Sequence, residues 1–396
     1  MNKRITDKRT IVGVPFYEGE GVEVLEACLK NLDECLHKLN IDAKIVVGVN
    51  GPKISQENPI PYHINRSLYN ADIVFIKTPP GIVNAEKAIG QLAAEEGYKR
   101  IFLTDADISR LPMALANLWN EGDKPVVGSN YATYPLEIIT ESKIKLSPQQ
   151  IVFMRIFEAD KHPLAREFTY KHRPRKRLKG SLLLVDTSII GVMFGCQNIT
   201  SDSRMNSLVP EKDRKVVLKS AFLHFARLDI TDHIQARLRH FRAAKSVNDL
   251  DAFTRKSLVY KPKTANKVAK QILQKYPWAT EVASDFLLQC ALRYKVAEIC
   301  RKIVSGEKYI PMKQAVSSEK VDLVTPVENF NEAKIRIESL MKLVNWEALD
   351  SPVTKGYGTT SNGGLRVPID LNPFLNSDKY RQLILDRLGL DRDTNI

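Results

Sequence analysis

The sequence predicts an α/β protein: a Rossmann-like, mostly parallel sheet with flanking helices, followed by a largely α-helical C-terminal extension. Three observations predict it. Apolar runs of strand length alternate with helical periodicity over the first part of the chain, turn residues punctuate the alternation, and from about Asn248 only long helical patterns continue. The chain has 396 residues, enough for more than one structural unit, and the change of pattern divides it into 1–245 and 246–396.

The elements follow in order. Thr10 to Phe16 is an apolar strand, and Val22 to Leu39 sets Val22, Leu25, Leu29, Leu32 and Leu36 on one helical face. Ala43 to Val49 is a second strand, ended by the turn signal Asn50-Gly51-Pro52, and Asp72 to Lys77 is a third. Thr78-Pro79-Pro80-Gly81 breaks the chain before a helix at Val83 to Gly97, after which Arg100 to Thr104 is a buried strand that stops at Asp105. Beyond it come a helix at Met113 to Asn120, a strand at Pro125 to Tyr131 and a helical stretch at Pro148 to Lys161. Two apolar segments follow, Ser181 to Val185 and Ile189 to Phe194, then a short helix at Asp202 to Leu208, a strand at Lys215 to Phe225 and a basic helix at Ile230 to Lys245. The extension carries helices at Ala265 to Tyr276, Glu281 to Ile303 and Val327 to Asn345, in which Tyr276, Trp278 and Tyr294 read as packing residues. The tail from Lys355 to Pro373 reads as an ordered loop or a lid.

Composition narrows the function. Lys and Arg number 59 against 46 Asp and Glu, a net charge of +13, which excludes an acidic solvating protein and points to an anionic partner. Five cysteines without close pairing, Cys28, Cys35, Cys196, Cys290 and Cys300, indicate reduced thiols and neither a disulfide framework nor a zinc site. No leader-type apolar region follows the basic N-terminus, and the most apolar stretch, Ser181 to Cys196, contains Asp186 and is shorter than the roughly 20 residues of a spanning helix. A cytoplasmic location is expected, with peripheral contact to a membrane at most.

The feature that carries chemistry is Ile101-Phe102-Leu103-Thr104-Asp105-Ala106-Asp107. Carboxylates at the carboxyl end of a strand in an α/β sheet face the ligand crevice, and two of them flanking a small residue hold a hard divalent cation together with substrate phosphates. A solvated turn is the plainer alternative.

At these residues the sequence resembles the GT-A fold glycosyltransferases, specifically the large family 2 group, which carries a DXD motif after its fourth strand. Val12-Gly13-Val14-Pro15-Phe16-Tyr17-Glu18 resembles that family's first nucleotide-binding strand, and Asn50 stands where the family usually has an acidic residue. The helix start Gly81-Ile82-Val83-Asn84-Ala85-Glu86-Lys87-Ala88 resembles a further family segment, onto which Asn84 and Lys87 carry over. Gln197 to Arg204 resembles the segment that supplies the catalytic base, here Asp202, although Ser201-Asp202-Ser203 is also good helix-capping chemistry. Ile234 to Arg242 looks like a relaxed form of the glutamine-arginine-x-arginine-tryptophan motif, aligning Arg237 and Arg239 and placing His240 at the tryptophan.

The resemblance covers about residues 8–245 and implies a metal-dependent hexosyltransferase that uses a UDP- or GDP-linked sugar donor and a hydroxyl acceptor, inverting by single displacement. It implies Mn²⁺ or Mg²⁺ on Asp105 and Asp107, a nucleotide pocket lined by Pro15, Tyr17, Glu18 and Asn50, and Arg237 and Arg239 on the diphosphate. His240 would be a third metal ligand or an acceptor contact. A solvated cationic helix face is the alternative for the arginines. The run Lys171-His172-Arg173-Pro174-Arg175-Lys176-Arg177-Leu178-Lys179 is a solvated loop or a site for an anionic or lipid-linked acceptor or an anionic membrane. Nucleic acid is not expected, because no aromatic-interleaved basic strand or RNA-binding signature is present. The C-terminal helices would close the acceptor side or mediate self-association into a homo-oligomer. Two rival readings are a sugar-phosphate nucleotidyltransferase, for which the turn Glu18-Gly19-Glu20-Gly21 lacks phosphate-binding cations, and a non-catalytic basic adaptor.

Overall fold

The computed structural model describes residues 9–39, 42–51, 63–142, 144–169, 178–190, 209–226, 229–246, 250, 261–306, 321–344, 346, 349 and 367–396. The chain forms two compact units that interleave along the sequence: Met1–Ser142, Pro174–Phe225 and Thr354–Ile396 in one, Lys143–Arg173 and Ala226–Val353 in the other. A single cut near residue 245, as the change of pattern suggested, falls inside the second unit. Among the described residues no helix is long and apolar enough to cross a membrane.

The first unit is built on one sheet: β1 (Arg9–Tyr17), β2 (Asp42–Asn50), β3 (Asp72–Lys77), β4 (Arg100–Thr104), β5 (Ile108–Arg110), β6 (Val126–Thr133), β7 (Leu182–Asp186) and β8 (Arg214–His224). Their order is β3-β2-β1-β4-β7-β6-β8-β5. The expected α/β class holds, with parallel pairing among β1, β2, β3 and β4 and between β6 and β8. Strand β7 runs antiparallel to both β4 and β6, and β5 antiparallel to β8.

Helices α1 (Val22–Leu39), α2 (Ile82–Glu95), α3 (Ala114–Glu121) and α4 (Leu136–Glu141) flank it. Because side chains alternate along a strand, Val12, Val14, Phe16 and Phe102 fall on one face with Leu25, Leu29 and Leu32 of α1 and Leu115 and Leu118 of α3. Ile11, Val46, Ile101 and Leu103 fall on the other, against Ile89 and Ala93 of α2. Both faces are covered, which is why β1 reads as a continuous apolar run. The α2 face depends on close approach: a Cβ on Gly13 would lie 2.6 Å from Ile89 Cγ2 and 3.1 Å from Leu103 Cδ2.

The second unit is helical: α5 (Pro148–Phe157), α6 (Pro163–Thr169), α7 (Ile230–Ser246), α8 (Pro262–Lys275), α9 (Thr280–Ser305) and α10 (Phe330–Met341). Ser147 and Gln150 form a capping box at the start of α5, with Pro148 in the first turn, and Asn329 caps α10 through Asn331 and Glu332. Phe153, Ile156 and Ala165 join Ile234, Phe286, Leu288 and Ile337 in one core, which is why residues 143–173 belong with the later helices. Tyr294 packs edge-on against Phe330, and Trp278, though 74% exposed, meets the Tyr276 ring edge-on at 6.0 Å. Of the cysteines, Cys28, Cys35, Cys290 and Cys300 are free and buried, as expected of reduced core thiols, and Cys196 lies outside the described residues.

One carboxylate of this core makes stability pH-dependent. Asp285 on α9 is buried beside Arg155, whose Nε lies 2.7 Å from Oδ2; burial pushes the carboxyl up to about 6 from an ordinary 3.8, against the pull of Arg155. The folded chain therefore holds a proton that the unfolded chain has released. The associated stability is full below about pH 4 and is lost as pH rises through about 6. Asp285→Asn keeps the shape and removes the titration. Its melting temperature relative to the parent is expected to be higher at pH 7 than at pH 5, and an equal difference at both would refute the assignment.

The C-terminal segment, expected as an ordered loop or a lid, belongs to the first unit, and its described part is tied to the rest of that unit. Ser109 Oγ donates to the Ile369 carbonyl at 2.5 Å, Ile369 N donates to Tyr134 Oη at 3.2 Å, and the two hydroxyl oxygens are 2.5 Å apart. Lys30 pairs with Asp370 at 3.0 Å and Asn372 Nδ2 donates to Glu34 at 2.8 Å. Two helices that the sequence reading did not see, α11 (Asn372–Leu375) and α12 (Asp378–Leu388), follow.

Candidate active site

The carboxyl ends of β1, β2 and β4 gather most of the predicted site residues of the first unit. Central β4 ends at Thr104, and Asp105-Ala106-Asp107 turns the chain into β5. Asp105 N donates to the Ser181 carbonyl at 3.0 Å, and both carboxylates are half-buried. Next to β4, β1 ends at Tyr17 and continues into a tight turn, Glu18–Glu20, whose two glutamates are buried. Glu18 Oε2 is buried with no hydrogen-bond partner among the described residues.

Glu20 was not among the predicted site residues. Burial first, and then the carboxylates of Asp107 and Asp105, hold its carboxyl well above the usual range. Three carboxylates therefore share one corner of the fold. The sequence signal was present, since Glu20 follows a strand end as Asp105 does, but only the parallel pairing of β1 with β4, with Leu103 opposite Gly13, runs the chain leading to Glu20 beside the chain leading to Asp105.

Tyr17 stands opposite Asn50 in the β1–β2 register. Burial, with Glu20 and Glu18 nearby, raises its phenol. Asn50 is buried and ties three elements together: its Nδ2 donates to the Phe16 carbonyl at 2.8 Å and its Oδ1 accepts from Gly81 N at 3.3 Å. Gly51 beside it has φ +142°, and a Cβ there would lie 3.2 Å from Glu18 and 3.3 Å from the Tyr17 ring, so glycine is required. Pro15 is buried within β1 opposite Gly48. Asn84 is exposed, its Nδ2 donating to the Pro80 carbonyl at 2.7 Å, so it closes the turn before α2; Lys87 is exposed one turn on.

The other predicted residues belong to the second unit or fall outside the described residues. Arg237, Arg239 and His240 are on α7 of the second unit, where Arg237 lines a small cavity with His233, Phe241 and Arg293. Asp202, and the cationic run up to Arg177, lie outside the described residues.

The carboxylate corner suits a hard divalent cation. Asp105 and Asp107 supply oxygen donors, and the elevated Glu20 carboxyl records negative charge that a cation would relieve. Among the described residues no group of three or more His, Cys, Asp or Glu side chains is gathered in metal-holding geometry. The protein would thus contribute the two aspartates and leave further positions to phosphate oxygens or water, as Mg²⁺ commonly does.

No protein-family model matches the chain, and no curated protein sequence matches it. Among solved structures, it is similar to a mannosyltransferase from Pyrobaculum calidifontis in complex with GDP-Man and Mn²⁺, at 13% identity and a TM-score of 0.39, over 85% of each chain. It is also similar to 4-diphosphocytidyl-2C-methyl-D-erythritol synthase from Anaerococcus prevotii, at 13% identity and a TM-score of 0.34, over 53% of this chain and 89% of that one. The inositol-1-phosphate CTP transferase from T. maritima is similar at 10% identity and a TM-score of 0.33, over 55% and 89%. The solved structures it resembles thus include both glycosyl and nucleotidyl transferases.

Proposed function

We propose that the protein is a divalent-metal-dependent glycosyltransferase that moves a hexose from a UDP- or GDP-linked donor to a hydroxyl acceptor. The observation that carries this reading is the carboxylate corner, with Asp105 and Asp107 at the end of central β4 beside the buried Glu20 after β1. Such a corner suits a cation-bound diphosphate and repels a bare one. The glutamate turn after β1 offers no lysine or arginine to a triphosphate, which favours sugar transfer over nucleotidyl transfer.

Asp105 and Asp107 would hold Mn²⁺ or Mg²⁺. The bound ion supplies positive charge to the diphosphate as it leaves. Tyr17, Glu18 and Asn50 would form the nucleotide side of the crevice, with Asn50 fixing its shape by joining Phe16 to Gly81. Asp202 would accept the proton of the acceptor hydroxyl as that oxygen attacks the anomeric carbon, and the sugar would invert in a single displacement. Arg237 and Arg239 would contact the leaving diphosphate and His240 the metal or the acceptor; these assignments, like that of Asp202, rest on the sequence alone. The basic stretches would favour an anionic or lipid-linked acceptor and contact with an anionic membrane.

A thermal-shift screen of nucleoside diphosphates and nucleotide sugars, each with and without Mn²⁺, tests the reading. A metal-dependent rise in melting temperature with UDP, GDP or their sugars is expected, followed by glycosylated product in mass spectra when acceptors are added. Stabilisation by nucleoside triphosphates alone, with pyrophosphate released, would favour the nucleotidyltransferase and overturn it.

A further inference from the structure

Arg110 ends β5 three residues after Asp107, and it is completely buried. A buried guanidinium ordinarily pairs with a carboxylate, because an uncompensated charge in the interior is costly. Here no carboxylate lies within ion-pair distance among the described residues, and the donors are satisfied by neutral acceptors. Nε and Nη2 donate to Thr104 Oγ1 at 2.9 and 2.6 Å, and Nη2 also donates to the Asp105 carbonyl at 2.5 Å. Nη1 donates to the Ile108 carbonyl at 3.3 Å and to Asn31 Oδ1 at 3.2 Å. Asn31 on α1 holds the same residue by its backbone, donating to the Arg110 carbonyl at 3.0 Å and accepting from Arg110 N at 2.8 Å.

The placement of the acceptors gives this side chain its meaning. Thr104, Asp105 and Ile108 bracket the Asp105-Ala106-Asp107 turn on both sides, so one planar group fastens both ends of the segment carrying the two carboxylates. Arg110 also acts on Cys28 and Tyr134, and Asp107 acts on both as well, which places the cation and the carboxylates in one neighbourhood. A lysine would keep the charge but offers a compact ammonium that cannot span Thr104, Asp105 and Ile108 together.

We propose that Arg110 is the positioning residue of the cation site: its guanidinium, seated on Asn31 and Thr104, holds the Asp105–Asp107 turn in the shape that binds Mn²⁺ or Mg²⁺. This rests on the metal–diphosphate reading above. Groups that orient metal ligands in this way typically change affinity about 10- to 100-fold when removed.

Mn²⁺ binding to the full chain, followed by isothermal titration calorimetry and by the EPR signal of free Mn²⁺, tests it without recourse to activity. Arg110→Lys is expected to weaken Mn²⁺ binding about tenfold or more despite its retained charge. Thr104→Ala, which removes the acceptor shared by Nε and Nη2, is expected to weaken it about fivefold, and Thr104→Ser, which keeps that oxygen, to bind as the parent does. The Thr104 pair decides the matter should Arg110→Lys not fold. The double variant Asp105→Asn, Asp107→Asn serves as the reference for loss of the site. If that variant loses Mn²⁺ while Arg110→Lys and Thr104→Ala bind as tightly as the parent, the positioning role is overturned and the metal reading stands. If the parent binds no Mn²⁺, or the double variant binds it equally well, both fail.

Discussion

Replacing Asp105 and Asp107 together by alanine is expected to lower kcat/KM for sugar transfer by about three orders of magnitude, on the order of 4 kcal/mol of transition-state stabilisation. Neither residue belongs to the two core clusters of the first unit, so the substitution leaves the apolar packing in place and removes the two carboxylates proposed to hold the cation. Removing them also relieves Glu20, whose carboxyl is held high partly by their negative charge. The Mn²⁺-dependent rise in melting temperature is expected to disappear in the variant. Steady-state kinetics with paired melting curves check both halves. Metal-stimulated turnover within tenfold of the parent would refute the role given to the pair.

The second large effect is on stability. Arg100 opens β4, is 7% exposed, and spends its guanidinium on three partners: Asp186 Oδ1 at 2.7 Å, the Gly122 carbonyl at 2.6 Å and the Lys124 carbonyl at 2.7 Å. Asp186 is one-third exposed and regains water when the arginine is removed. The carbonyl facing Nη1 is buried and does not, and a buried acceptor left without a donor costs about 1–3 kcal/mol. Arg100→Met, which fills much of the same space, is therefore expected to cost about 3 kcal/mol, with Arg100→Lys intermediate. Chemical denaturation followed by circular dichroism measures it, and a loss below about 1 kcal/mol would show that the carbonyls find other donors.

Both predictions concern β4, and they divide what local sequence signals convey from what they cannot. The apolar run of β4 and its abrupt stop at two carboxylates were legible, because strand burial and residue type are written locally. The same holds for the α1 stripe through Leu25, Leu29 and Leu32, which emerges buried. Three-residue β5 was not legible, being too short to show a period, and the reversed direction of β7 was not either, since direction depends on a partner far away in sequence.

The site divides in the same way. Residue type and position marked Asp105 and Asp107, and the family resemblance pointed to Tyr17, Glu18 and Asn50. Nothing local marks Glu20 as a carboxyl raised by its neighbours, because that needs β1 paired with β4. Nothing in Ile108-Ser109-Arg110-Leu111 marks Arg110 either, because its side-chain partners span residues 28 to 108.

The sequence by itself thus determined the α/β class and the strand that carries the carboxylates, both of which follow from the chemistry of neighbouring residues. Tertiary structure alone decided the strand order, the joining of residues 143–173 to the later helices, the clasping of Ile369 by Ser109 and Tyr134, and the seating of a buried arginine beneath the Asp105–Asp107 turn. Each is a bargain between distant segments, in which burial is shared and hydrogen bonds are completed by groups that no window of sequence contains.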